Sequence, residues 1–381
     1  MTQNTLYDKS SSILDFRAGS HKRLEMMKRI HALDLGALTS NDSDPLYLAI
    51  NDLKNDLGES EIASGRFFLR EHVIEEISRL SDEELPRYLR YRYAYEVYPS
   101  KKEVREYPPL VQIEPASICN YRCVFCYQVD ARLSNKKNGH MGVMDIGLFR
   151  EIVDELDGNV EAVTLASRGE PTVNKALPEM LSYMSGKFLA SKINTNASML
   201  DENLCHAILS SDLQTLVFSA DAAAEPLYSK LRVGGNLEKV VRNVERFNEI
   251  KNRHYPGSRL ITRVSGVSYS DHQNMDDMMD FWNRFVDQVA FVDYNPWENV
   301  YDSEKKGIVK PCSDLWRRLF VWWDGQVCPC DVDYLTTLSN DQFPTRSLRD
   351  IWNGDSYSSL RQRHLSKERQ SIEPCARCVV I

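Results

Sequence analysis

The chain has 381 residues, 42% of them hydrophobic and 27% charged, enough for two or three domains with a packed core. A net charge of −8 argues against a general nucleic-acid binder, which would carry a basic face, and leaves room only for a local basic pocket that takes an anionic substrate. No run of about 18 apolar residues is present to cross a membrane, and the opening stretch "MTQNTLYDKSSSILDFRAGSHKR" lacks an apolar signal segment.

A cytoplasmic protein with reduced thiols is therefore expected, and its nine cysteines point to metal or clusters before disulfides. Residues 1–105 hold none of them. Three runs there, "SHKRLEMMKRIHALDL", "PLYLAINDLKNDL" and "REHVIEEISRLSDEELPRYLRYRYAYEVY", repeat apolar residues three and four apart and read as helices. Such an extension either caps a substrate chamber or packs on the next domain.

From 106 to 300 the pattern changes to short β-rich runs alternating with helical ones. The strand candidates are "LVQIEPAS", "VEAVTLASRGE", "ASKINTNAS", "QTLVFSAD", "RLITRVSGVS" and "DQVAFVDYNP". Between them lie amphipathic stretches such as "DIGLFREIVDEL" and "LEKVVRNVERFNEIKNR". Six strand–helix units imply a parallel sheet in an α/β fold, a partial (β/α)6 TIM-like barrel. Functional residues of such a barrel belong at the C-terminal ends of its strands, where "CNYRC", "SRGE", "NTN" and "SAD" fall.

The first of these opens the run "CNYRCVFCYQ", with Cys119, Cys123 and Cys126 on one loop. Zinc prefers four ligands in paired CxxC units. Three thiolates on a four-iron cubane leave one iron open to a substrate or cofactor. Cys205, in "NLCHAILSS", sits on an apolar helical face and reads as core.

From 301 the cysteines return as Cys312, Cys328, Cys330, Cys375 and Cys378. "LFVWWDGQVCPC" reads as a β-hairpin turning at Asp324–Gly325, and "SLRDIWNGDSYSSLRQRHL" as a helical stretch. Cys328 and Cys330 share one face of a regular strand, so their roles could be exchanged. Four thiolates also suit a structural zinc site.

The Cys119, Cys123, Cys126 loop, with Phe125 before the last cysteine, resembles the signature loop of radical S-adenosylmethionine (radical SAM) enzymes. The resemblance covers roughly residues 106–378. It implies a [4Fe–4S] cluster whose open iron chelates the amino and carboxylate groups of S-adenosyl-L-methionine. It also implies cofactor contacts from Phe125, from Gly169 and Glu170 in "SRGEP", and from Asn194 and Asn196 in "INTN". Ser219 and Asp221 in "FSAD" and Arg232 in "SKLRVGG" complete the set. Arg168 stands where the family usually has glycine, and Ser167 is either a cap or a contact.

The C-terminal cysteines resemble the SPASM or Twitch auxiliary-cluster extension of that superfamily. That likeness implies one auxiliary [4Fe–4S] cluster on Cys312, Cys330, Cys375 and Cys378. Cys328 is then a spare thiol, either a hydrogen-atom donor to a substrate radical or a small strand side chain. The expected layout is a helical extension over 1–105, the barrel over 106–300 and a small auxiliary-cluster domain over 301–381.

The activity implied is reductive cleavage of S-adenosylmethionine to a 5′-deoxyadenosyl radical, followed by hydrogen abstraction. An external electron donor such as flavodoxin or ferredoxin would serve it, with neither nucleic acid nor membrane as partner. Oxidation of a sugar or aminocyclitol-type small molecule, with the auxiliary cluster accepting the electron, is the expected reaction. Peptide crosslinking or epimerisation is the second reading, and a non-catalytic zinc or iron–sulfur scaffold the third.

Overall fold

The computed structural model describes residues 6–7, 20–39, 41–54 and 65–381. Most of the stretch read for a signal segment, and residues 55–57 at the end of the second helical run, lie outside the described residues. The six strands expected between 106 and 300 are all present. They are β1 (Leu110–Ile113), β2 (Ala162–Leu165), β3 (Ala190–Thr195), β4 (Thr215–Ser219), β5 (Ile261–Ser268) and β6 (Gln288–Asp293). Each pairs in parallel with the next.

Helices Ile146–Leu156, Leu177–Met184, Glu202–Ser210, Leu237–His254 and Met275–Trp282 connect them. Four of these five start at Asp145, Asp201, Asn236 or Asn274, whose side chains accept hydrogen bonds from first-turn N–H groups.

Strand alternation separates the two faces of the sheet. Val111, Ile113, Val163, Leu165, Ile193 and Phe218 pack with Phe149, Ile152, Leu181 and Phe247 of the helices in one apolar core. The opposite face presents Gln112, Thr164, Lys192, Asn194 and Arg263 to an internal cavity. Polar groups in such number are held there by one another or by what the cavity binds.

The C-terminal region extends the same sheet. β7 (Arg318–Val321) pairs in parallel with β1, Leu110 opposite Arg318 and Ile113 opposite Val321. β8 (Val327–Cys328) then pairs antiparallel with β7. The order is β8-β7-β1-β2-β3-β4-β5-β6, a mostly parallel sheet that does not close into a barrel among the described residues. The expected hairpin forms, with Gly325 at φ +85°. A Cβ on Gly325 would also lie 2.4 Å from the Phe343 carbonyl oxygen, so glycine is required there twice over. The helical stretch after it divides into Leu348–Trp352 and Asp355–Leu365.

Among the described residues, helices Ser20–His31, Pro45–Lys54, Glu71–Ile77 and Leu85–Lys101 bury Ile30, Ile50, Ile74, Leu89 and Val97. Their core is continuous with Leu110 and Ala162, the first residues of β1 and β2. The extension therefore covers the N-terminal ends of the strands, opposite the cysteine loop. Ion pairs Arg87–Glu161 at 2.8 Å and Arg259–Glu84 at 2.8 Å fasten its rim. No helix among the described residues is long and apolar enough to cross a membrane.

Candidate active site

The loop after β1 carries Cys119, Cys123 and Cys126 to one end of a cavity of about 730 Å3. Its path is fixed by its own neighbours. Arg122–Cys123 pairs antiparallel with Arg232–Val233. Tyr127 Oη donates to the Ser167 carbonyl at 2.7 Å, and Gln128 Nε2 donates to the carbonyls of Ser117 and Arg168. Trp297 Nε1 donates to the Phe125 carbonyl at 2.6 Å. The residues just after the third cysteine thus lock the loop onto the end of β2.

Burial pushes the Cys119 thiol up to about 12, with the Glu170 carboxylate adding to it. Cys126 is raised by burial and then by Cys123 and Cys119. Buried thiols that oppose one another's ionisation are what a cationic iron centre would reverse, since ligation requires thiolate. The donor set therefore fits an iron–sulfur cluster.

The other expected cofactor residues divide into two groups. Ser167, Gly169, Glu170, Asn194, Asn196, Ser219 and Arg232 all line the cavity, and Ser167 Oγ and Asn194 Oδ1 are buried without a hydrogen-bond partner. Phe125 and Asp221 do not line it. Phe125 packs against Tyr269 with ring centroids 5.5 Å apart. Asp221 accepts from Val267 N at 2.6 Å and lies 2.5 Å from Arg232 Nε. That pairing holds Arg232 beside the cluster loop, its Nη1 3.8 Å from Cys123 Sγ.

Glu170 is largely engaged within the protein. Its Oε1 accepts from Thr195 Oγ1 at 2.6 Å and Thr172 Oγ1 at 2.7 Å, and its Oε2 from Asn196 N at 2.7 Å. Burial nevertheless raises its pKa. Asn196 Nδ2 donates in turn to Asn120 Oδ1 at 2.9 Å, so the ends of β2 and β3 and the cysteine loop are cross-tied.

Gly169 is the close approach in this arrangement. A Cβ there would lie 2.3 Å from the Ala116 carbonyl oxygen and 2.6 Å from that of Ile118. Gly169→Ala must push away the backbone that leads into Cys119. It is expected to cost about 1–3 kcal/mol and to lower the iron retained after reconstitution, read by thermal melting and iron assay.

Arg168, where the resemblance leads one to expect glycine, is the site residue the sequence did not explain. Its Nε and Nη2 grip the Glu114 carboxylate at 2.8 and 2.6 Å. Its Nη1 donates to the Tyr334 carbonyl at 3.0 Å, and its guanidinium sits 4.2 Å over the Trp322 ring. Glu114 Oε2 also accepts from Trp323 N at 3.2 Å. One buried ion pair therefore joins the ends of β7, β1 and β2.

The second cysteine group is brought together around a small cavity lined by Cys312, Cys330, Cys375 and Cys378. Burial raises Cys330, followed by Asp331, Cys312 and Cys378. Cys375 is raised by burial and then by Cys378 and Cys312. The donor chemistry again suits a cluster. Among the described residues no set of three His, Cys, Asp or Glu side chains is arranged to hold one metal ion.

Cys328 lines neither cavity. β8 ends at Cys328, so the strand alternation expected to run on to Cys330 stops short. Cys328 instead packs with Phe320 and Trp322, its Sγ donating to the Cys330 carbonyl at 3.1 Å and lying 3.6 Å from Asp333 Oδ2. Cys205 is fully buried in the main core.

Comparison with known proteins gives two family matches, one over each cysteine-bearing region. The radical SAM superfamily profile matches residues 113–279, and the SPASM profile, an iron–sulfur cluster-binding domain, matches residues 312–379. The chain is 29% identical over 119 residues to the Fe-coproporphyrin III synthase of Methanosarcina barkeri, covering 31% of this chain and 28% of that protein. It is 26% identical over 133 residues to a probable GTP 3′,8-cyclase of Methanococcus maripaludis, covering 35% of this chain and 43% of that one. The chain thus spans less than half the length of either relative. Among solved structures, Streptococcus suis SuiB bound to S-adenosylmethionine has a TM-score of 0.53 at 15% identity, covering 85% of this chain and 88% of that one. That likeness is one of fold.

Proposed function

The chain belongs to the radical SAM superfamily and carries a SPASM iron–sulfur cluster-binding domain, and from that premise we propose that it oxidises a small polar molecule of sugar or aminocyclitol type. The two domains imply a [4Fe–4S] cluster, an auxiliary cluster and S-adenosylmethionine. Together the cluster and S-adenosylmethionine supply a one-electron cleavage that yields a hydrogen-abstracting 5′-deoxyadenosyl radical.

The chain's own residues set the conditions for that chemistry. Cys119, Cys123 and Cys126 would hold the first cluster, with Arg232 against the Cys123 sulfur. Ser167, Asn194 and Ser219 offer polar atoms to what binds beside it. Phe68, Tyr88, Tyr91 and Tyr95 of the N-terminal extension line the far end of the cavity, and their rings would help to keep bulk water from a reactive intermediate. Cys312, Cys330, Cys375 and Cys378 would hold the auxiliary cluster.

The observation that carries the oxidation reading is a single apolar cluster. It packs Cys126 and Tyr127 of the first loop together with Cys312, Cys330, Cys375 and Cys378 of the second site. A packed apolar bridge between the two cysteine groups suits an electron passing from substrate to the auxiliary site.

The test uses reconstituted protein with aminocyclitols and sugars deuterated at carbon. Deuterium appearing in 5′-deoxyadenosine, with a ketone product two mass units lighter than the unlabelled substrate, supports the reading. Deuterium transfer from peptides alone would replace it with the peptide-modifying one.

A further inference from the structure

We propose that Lys192 is the receptor for an anionic group, a carboxylate or a phosphate, on the substrate. The inference rests on reading the cavity as the substrate chamber, and goes beyond that reading by naming what the substrate carries.

Lys192 lies on β3 two residues before Asn194, so both side chains enter the cavity from one face, with Lys192 about 7 Å nearer the N-terminal helices. Arg263 and Arg318 line the same end, and each has an acidic neighbour. Arg263 Nη2 is 3.6 Å from Glu76 Oε1. Arg318 Nε is 3.7 Å from Asp314 Oδ1, and its Nη2 donates to Tyr95 Oη at 2.7 Å. Arg92 pairs with Glu96. Among the described residues no hydrogen bond or ion pair reaches Lys192 Nζ.

Packing does not explain this lysine. Lys192 is half-buried in the cavity wall, where an ammonium without a hydrogen-bonded partner gives up part of its hydration, and a methionine would fill the same space without that cost. Burial, with the positive charges of Arg263 and Arg318, pushes its pKa down to about 8 against the opposing influence of Tyr95 and Glu76, so the negative charge within reach falls short of offsetting burial. A substrate oxyanion would supply that charge through a charge-assisted hydrogen bond. The polarity of the site also opposes that of the whole chain, whose net charge is −8. A ligand anchored at Lys192 reaches past Asn194 toward the cysteine loop, which places its reacting carbon above and its anion below.

The experiment is calorimetric titration of full-length, cluster-reconstituted protein with glucuronate, glucose 6-phosphate and glucose. Wild type is compared with Lys192→Met and Lys192→Gln. At least one anionic probe should bind wild type tenfold or more tightly than glucose does, and both variants should lose that preference. Binding of glucuronate alone assigns a carboxylate, and of glucose 6-phosphate alone a phosphate. Ligand-free Lys192→Met should melt at or above the wild-type temperature, which a structural lysine would not allow.

The proposal is overturned if neither anion binds wild type better than glucose. It is equally overturned if the variants keep the preference, or if Lys192→Met melts lower. 5′-Deoxyadenosine formation by the same samples separates the two levels: cleavage without anion selectivity removes only this inference, whereas no cleavage removes the functional reading beneath it.

Discussion

Arg168→Ala is expected to destabilise the protein by about 3–5 kcal/mol, the usual result of removing one partner from a buried ion pair. Arg168 is 2% exposed and Glu114 fully buried, so the abandoned carboxylate would be left without its cation in a dry environment. Against a total stability of about 5–15 kcal/mol, that loss is large. The pair holds the ends of β7, β1 and β2 together, and the cysteine loop leaves from β1. Loss of retained iron should therefore accompany the loss of stability.

Glu114→Gln should show a similar but smaller defect, and the Arg168→Met, Glu114→Leu double variant should be less damaged than Arg168→Ala. Denaturant unfolding of wild type, Arg168→Met, Glu114→Leu and their double variant measures the coupling. Additive single-variant effects, with no rescue in the double variant, would show that the pair is not the joint described above.

The second large effect is expected at the cysteines. Reconstituted wild type should hold about eight irons, four at each site. Cys126→Ala removes one of three thiolates at the first site. It should lower the count to about four and reduce S-adenosylmethionine cleavage to background. Cys375→Ala should also lower the count to about four while leaving cleavage intact, because the first loop is untouched. Cys328→Ala should keep about eight irons, since Cys328 is packed against Phe320 and Trp322 outside both cysteine groups. Iron assay and electron paramagnetic resonance of the reduced proteins read these outcomes. A Cys328 variant that lost an auxiliary cluster would mean that the hairpin thiol, not Cys330, is the ligand.

Much of this was legible in the chain because it is local. Strand alternation in "ASKINT" already places Lys192 and Asn194 on one face, and Asp or Asn before "IGLFREIVDEL" and "LEKVVRNVERF" marks where helices start. Three cysteines within eight residues cannot avoid sharing a loop. Pairing between distant segments was not legible. The hairpin over 319–330 was visible from Asp324–Gly325, but nothing in its sequence states that its first strand joins β1 in parallel.

Arg168 looked like a departure from a motif because its partners, Glu114, Trp322 and Tyr334, lie far away in sequence. Glu170 and Asp221 read as free acceptors for a cofactor. Whether Thr195, Asn196 or Arg232 already occupies them is a matter of tertiary geometry. Cys328 and Cys330 differ for a similar reason: strand alternation holds only while the strand lasts, and β8 ends at Cys328.

The most direct test of the account is whether oxygen-protected, fully iron-loaded protein splits S-adenosylmethionine under dithionite. The account predicts a change in the cluster's spectrum when the nucleotide is added, and 5′-deoxyadenosine that disappears with Cys119→Ala, Cys123→Ala or Cys126→Ala. A full complement of iron with an unaltered spectrum and no 5′-deoxyadenosine would contradict it.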